Sequence, residues 1–171
     1  VNSLKIIIPY EYITNFVNLT WSDLFFAIKQ GYLTSEAATE HAMYVISEEQ
    51  NLSQDVIDLA WVKKGEDIHP YINKLSGFIT VEDNNIAQEK ILYVVLQWVY
   101  ENKEHYTDPL EVVETIYADF DYPEEISQFV RYMPPNQPLL DSLELSNERL
   151  YRNWSEYLEI QKKRFSDSNE G

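Results

Sequence analysis

A chain of 171 residues, 44% of them hydrophobic, is long enough to bury one core of ordinary size, and its 13 Tyr, 7 Phe and 4 Trp supply large anchors for a core or an interface. The four glycines stand apart as Gly31, Gly65, Gly77 and Gly171, which excludes the clustered glycines of phosphate-cradling loops and dinucleotide fingerprints. The formal net charge is −16, so the chain's field repels nucleic acid and anionic membrane and attracts basic partners.

There is no cysteine, hence no disulfide framework and no thiol chemistry. No stretch approaches the ~18 apolar residues of a membrane span, and Val1 to Pro9 lacks the apolar region and cleavage site of a signal peptide. The expectation is a cytoplasmic protein that binds neither nucleic acid nor membrane and carries no cofactor.

Taken in order, Ile6-Ile7-Ile8 before Pro9 reads as extended, because a residue ahead of proline avoids the helical region. Pro9 then opens a short turn through Tyr12, Ile13 and Phe16. Thr20-Trp21-Ser22-Asp23 resembles a capping box with Asp in place of Glu, starting a helix that Gly31 closes. Thr34 or Ser35 caps the next, with Ala38, His41, Ala42, Val45 and Ile46 on one face. Ser53 starts a third, with Val56, Ile57, Ala60 and Trp61 on one side. Pro70 suits a first helical position ahead of Tyr71, Ile72 and Leu75. Gly77 to Asn85 has turn chemistry and reads as an exposed loop.

Ile91 to Tyr100 is apolar or aromatic at nine of ten positions, as expected of a central helix covered on all sides. Asp108-Pro109-Leu110-Glu111 is the cleanest helix start, with a buried stripe of Val112, Val113, Ile116, Tyr117 and Phe120. Asp121 to Glu125 restarts a helix through Ile126, Phe129, Val130 and Met133. Pro134 to Pro138 is a stiff connector, and Ser146 caps a last helix striped by Leu150, Tyr151, Trp154, Tyr157 and Leu158. The pattern predicts an all-α single domain, residues 1–165, of about seven or eight helices packed around the central one. Several consecutive helices form hairpins, a short extended segment leads in, and residues 166–171 are a flexible tail.

Candidate chemistry is sparse. Glu66 and His69 have the Glu-x-x-His spacing of di-metal bundles, and Glu101 and His105 are four apart, but Pro70 places His69 at a helix boundary. His41 falls on an apolar face and reads as a core residue. No Gly-x-Ser-x-Gly elbow is present, so catalytic residues are expected to be none, and metal ligands none. The most unusual surface is the run from His105 to Val130, which contains no Lys or Arg. It interleaves Asp108, Glu111, Glu114, Asp119, Asp121, Glu124 and Glu125 with Tyr106, Tyr117, Phe120 and Tyr122. Helix capping accounts for some of these acids; the rest suit a basic partner, with Tyr122 as an aromatic anchor.

Across Tyr117 to Ser127 and on through Phe129 to Pro135, the sequence resembles a family of small acidic bacterial proteins classed as a domain of unknown function. Asp108 to Val113 and Leu19 to Leu24 fit the same pattern. The resemblance implies a bacterial, single-domain protein and transfers no catalytic residue. By size, charge and class it is immunity-protein-like, an analogy rather than a derivation. The expected function is therefore binding: an immunity protein that neutralises a basic, nuclease-type toxin by occlusion. The alternatives are a metal-dependent hydrolase using carboxylates and histidine, or a structural or regulatory subunit.

Overall fold

The computed structural model describes residues 2–48, 53–77, 79–131 and 142–167. Among them there are eight α-helices and no strand, so the fold is all-α. The helices are α1 Tyr10–Thr14, α2 Trp21–Gln30, α3 Glu36–Glu48, α4 Gln54–Ala60, α5 His69–Ser76, α6 Val81–Glu101, α7 Pro109–Asp119 and α8 Leu143–Asp167. Two 3-10 helices, Lys103–His105 and Glu124–Phe129, lie on either side of α7 in sequence. No helix among the described residues is long and apolar enough to cross a membrane.

Packing groups the chain into two units, Ile6–Ile91 and Val1–Lys5 with Leu92–Gly171, and α6 runs through the boundary. Within the first, Ile6 to Ile8 forms neither helix nor strand; Ile8 N–H donates to the Tyr32 carbonyl at 2.8 Å. Thr20 and Asp23 cap α2 reciprocally, the Asp23 N–H donating to Thr20 Oγ1 and the Thr20 N–H to Asp23 Oδ2. Gly31 ends it at φ 90°, a left-handed position that glycine adopts without a Cβ penalty. Helices α3 and α4 pack on each other as a hairpin, and α4 continues against α5.

The expected stripe of α4 is corrected. Val56 and Leu59 are buried, whereas Trp61 is 80% exposed, because the helix ends at Ala60 and the chain turns away at Trp61. The expected loop from Gly77 to Asn85 is also corrected: α6 already begins at Val81. Thr80 and Asp83 form the same reciprocal cap as Thr20 and Asp23, supplying two of the helix's unsatisfied N-terminal donors with partners. The central apolar run is buried at Ile91 to Leu96 and at Val99, whereas the expectation of cover on all sides is corrected for Trp98 and Tyr100, which are only half-buried.

One ion pair in the first unit is nearly enclosed. Lys90 on α6 donates to Asp23 Oδ2 at 2.7 Å and to the Asn18 carbonyl at 3.1 Å. The Asp23 carboxylate therefore serves both its own helix cap and a cation 67 residues away. Replacing Lys90 by Met is expected to cost about 2 kcal/mol, the size of a lost hydrogen bond to a charged group. Urea unfolding checks this; an unchanged midpoint would mean that water replaces the ammonium at no cost.

In the second unit, Asp108 caps α7 and Pro109 occupies its first turn. The 3-10 helix Glu124–Phe129 packs against both α7 and α8. Its restart after Pro123 was expected as a helix; Ile126, Phe129 and Val130 are buried, and Met133 with the Pro134–Pro138 connector lies outside the described residues. The start of α8 is corrected from Ser146 to Ser142, whose Oγ accepts from Leu145 N–H. The helix runs to Asp167, so it includes the first two positions of the expected tail; residues 168–171 lie outside the description. Trp154, Tyr157, Leu158 and Phe165 bury its inner stripe.

Candidate protein-binding surface

The acidic-aromatic run is organised by the two ends of α7. At its start, Asp108 accepts from the Glu111 N–H through one carboxylate oxygen, as a cap does. Through the other it accepts from Arg131 Nη2 at 2.9 Å, and Arg131 Nε donates to Glu114 at 2.8 Å. Glu114, then Asp108, hold the guanidinium in its charged form and raise its pKa. The run was expected to have no counter-charge; that is corrected for Asp108 and Glu114, which the first base beyond the run neutralises. Glu111 remains exposed, one residue beyond Leu110 on the outer side of the first turn.

At the far end, Asp119 is engaged too. Ser3 donates to its carboxylate with the backbone N–H at 2.9 Å and with Oγ at 2.6 Å. The helix then closes in a Schellman pattern: Asp121 N–H donates to the Ala118 carbonyl and Tyr122 N–H to that of Tyr117. Such a closure puts its C′ residue in the left-handed region, where α2 uses Gly31. Here Asp121 stands at φ 61° and Tyr122 at φ 57°. Each side chain in that region costs roughly 1–2 kcal/mol relative to the right-handed form, although Asp tolerates it better than Tyr.

The consequence is an outward-facing tyrosine among acids. Tyr122 is 63% exposed and lies edge-on to Tyr117, with ring centroids 5.3 Å apart. Asp121 precedes it, and exposed Glu124 and Glu125 follow in the first turn of the next 3-10 helix. Of the eight residues expected at the surface, Asp121, Tyr122, Glu124 and Glu125 are brought together by this turn. Glu111 stays exposed on α7, whereas Asp108, Glu114 and Asp119 are committed to internal partners. Sequence reasoning missed Arg131 and Ser3, because nothing local marks a partner 23 or 116 residues away.

The histidines are placed otherwise. His41 is 5% exposed, with the Tyr10 hydroxyl 2.8 Å from Nδ1 and the Trp21 ring edge-on at 4.7 Å. His69 is largely exposed with Nδ1 2.6 Å from Asp67, and His105 is exposed at the end of its 3-10 turn. Among the described residues no group of three His, Asp or Glu converges as a metal site would require.

No curated protein and no solved structure matches the chain. The likeness seen in its acidic-aromatic run has a counterpart that covers most of its length. A model of uncharacterized proteins conserved in bacteria matches residues 10–162, from the first helix to the last, and the chain belongs to that family, DUF2247.

Proposed function

We propose that this is a binding protein, and specifically an immunity protein of the bacterial cytoplasm that occludes the basic face of a cognate, nuclease-type toxin. The observation that carries this reading is the left-handed pair Asp121–Tyr122. At α2 the same type of closure is met by glycine. At α7 the chain keeps a carboxylate and a half-exposed phenol there despite the backbone cost. Strain retained at an exposed, chemically distinctive position supports a role in recognition. Tyrosine is favoured in interface hot spots, and the surrounding acids would steer a basic face toward it.

The test separates recognition from folding. Tyr122→Gly should unfold at the same urea concentration as the natural chain or a higher one, because glycine removes the left-handed cost. It should nonetheless weaken partner binding about tenfold or more, as loss of an aromatic hot spot does. Asp121→Asn keeps a residue tolerant of the left-handed region and removes one charge, so it should slow association most at low salt. The partner is sought by tagged pull-down at low and high salt, with the product of the neighbouring reading frame co-expressed. A stoichiometric basic protein, released by salt and toxic when expressed alone, is the expected result. A captured partner that binds Tyr122→Gly and Asp121→Asn with unchanged affinity would remove this surface from the mechanism.

A further inference from the structure

We propose that Tyr100, Tyr151 and the half-buried face between them form a subsite for one cationic side chain, a lysine or arginine of a basic protein, which Lys103 occupies in the free chain. The proposal rests on the reading of the chain as a binder of a basic partner and names one place where that partner is held. The Lys103 ammonium lies 3.5 Å from the Tyr100 ring centroid and 5.6 Å from that of Tyr151. Both distances are inside the ~6 Å reach of a cation–π contact.

The two rings come from different helices, α6 and α8, and one residue fixes both. Trp154, fully buried, lies edge-on to Tyr100 at 5.0 Å and stacks on Tyr151 at 6.0 Å. The site is thus built from the core outward, while Tyr100, Lys103 and Tyr151 themselves are only half-buried.

The hold on Lys103 is local and replaceable. It follows Tyr100 by three residues on a one-turn 3-10 helix, and a half-buried cation–π contact favours the bound position only several-fold. A guanidinium stacks on aromatic faces as readily as an ammonium and is more weakly hydrated, so an incoming arginine competes well. Displacement would free Lys103 to swing into solvent without disturbing Trp154 beneath.

Titration with N-acetyl-arginine methylamide at constant ionic strength, followed by proton NMR, tests this without any partner protein. In the natural chain the Lys103 ε-methylene signal, shifted upfield by the rings, should return part of the way to its ordinary position at probe concentrations on the order of several hundred millimolar, because a single cation–π contact is weak. In Lys103→Ala the Tyr100 and Tyr151 ring signals should respond at a several-fold lower probe concentration; Lys103→Gln serves if the alanine variant does not fold. A Lys103 signal that never moves in the natural chain, or rings that ignore the probe once Lys103 is gone, overturns the subsite. Failure to capture a partner in the pull-down leaves this titration unaffected, so the two readings fail separately.

Discussion

Trp154→Ala is expected to destabilise the protein by about 3–5 kcal/mol, the range for removing a large buried aromatic side chain. Trp154 is fully buried on α8 and is the common neighbour of three rings. It stacks on Phe129 at an interplanar angle of 4°, stacks on Tyr151, and meets Tyr100 edge-on. Phe129 in turn contacts Tyr157. Removing the indole leaves a cavity that rigid rings on three elements fill poorly, and the loss of dispersion contacts adds to the transfer cost. The unfolding midpoint in urea, read by far-UV circular dichroism, measures the effect.

A second substitution at the same place separates ring packing from hydrogen bonding. Among the described residues the Trp154 Nε1–H finds no acceptor, although it is fully buried. A buried donor without a partner costs about 1–3 kcal/mol. Trp154→Phe loses some volume but removes that donor, so its net effect should be small, near 1 kcal/mol, by the offset of these two terms. If Trp154→Phe proves as damaging as Trp154→Ala, the indole N–H is bonded after all and the ring packing is not the main contribution.

The contrast between what was readable and what was not follows the range of the interactions. Thr20-Trp21-Ser22-Asp23, Asp108-Pro109 and Gly31 were legible because a cap is settled within four residues. The buried run Ile91–Leu96 was legible because an all-apolar helix has no other stable place. Thr80-Val81-Glu82-Asp83 carries the same signature as the α2 cap, but Gly77 and two asparagines around it outweighed the signal. Trp61 was assigned inward by spacing alone, since the pattern does not reveal that the helix stops one residue short of it.

At the candidate surface, counting charges within the run identified an acidic stretch, and four of its members do assemble around one exposed turn. What counting could not supply is that Arg131 and Ser3 fold back on three others. Nor does any glycine announce the left-handed turn, because Asp121 and Tyr122 occupy it instead. The Lys103–Tyr100 contact was within local reach at a separation of three, whereas Tyr151 enters from a helix that only the tertiary fold brings near.

Acid should weaken the fold through His41 in a defined window. Burial, opposed in part by the Asp23 carboxylate, lowers its pKa from 6.5 to about 4. The Tyr10 phenol beside it is pushed up to about 12, first by burial and then by Glu40, so it stays protonated and can donate to a neutral imidazole. Trp21 and Tyr44 also lie against the imidazole, so the carboxylate acting on it is that of Asp23. The unfolded chain takes up a proton on His41 as the pH falls below about 6.5, while the folded chain resists until about 4. Stability from this residue is therefore complete above the higher value, falls between the two, and levels off below the lower. A pKa difference of one corresponds to about 1.4 kcal/mol, so the loss across the window is on the order of 3 kcal/mol. His41→Gln retains a hydrogen-bonding partner for Tyr10 but cannot titrate. Subtracting its urea-unfolding free energies from those of the natural chain, pH by pH, cancels the carboxylates common to both. The difference should slope between pH 6.5 and 4 and be flat on either side; a difference flat throughout would place the acid sensitivity elsewhere in the chain.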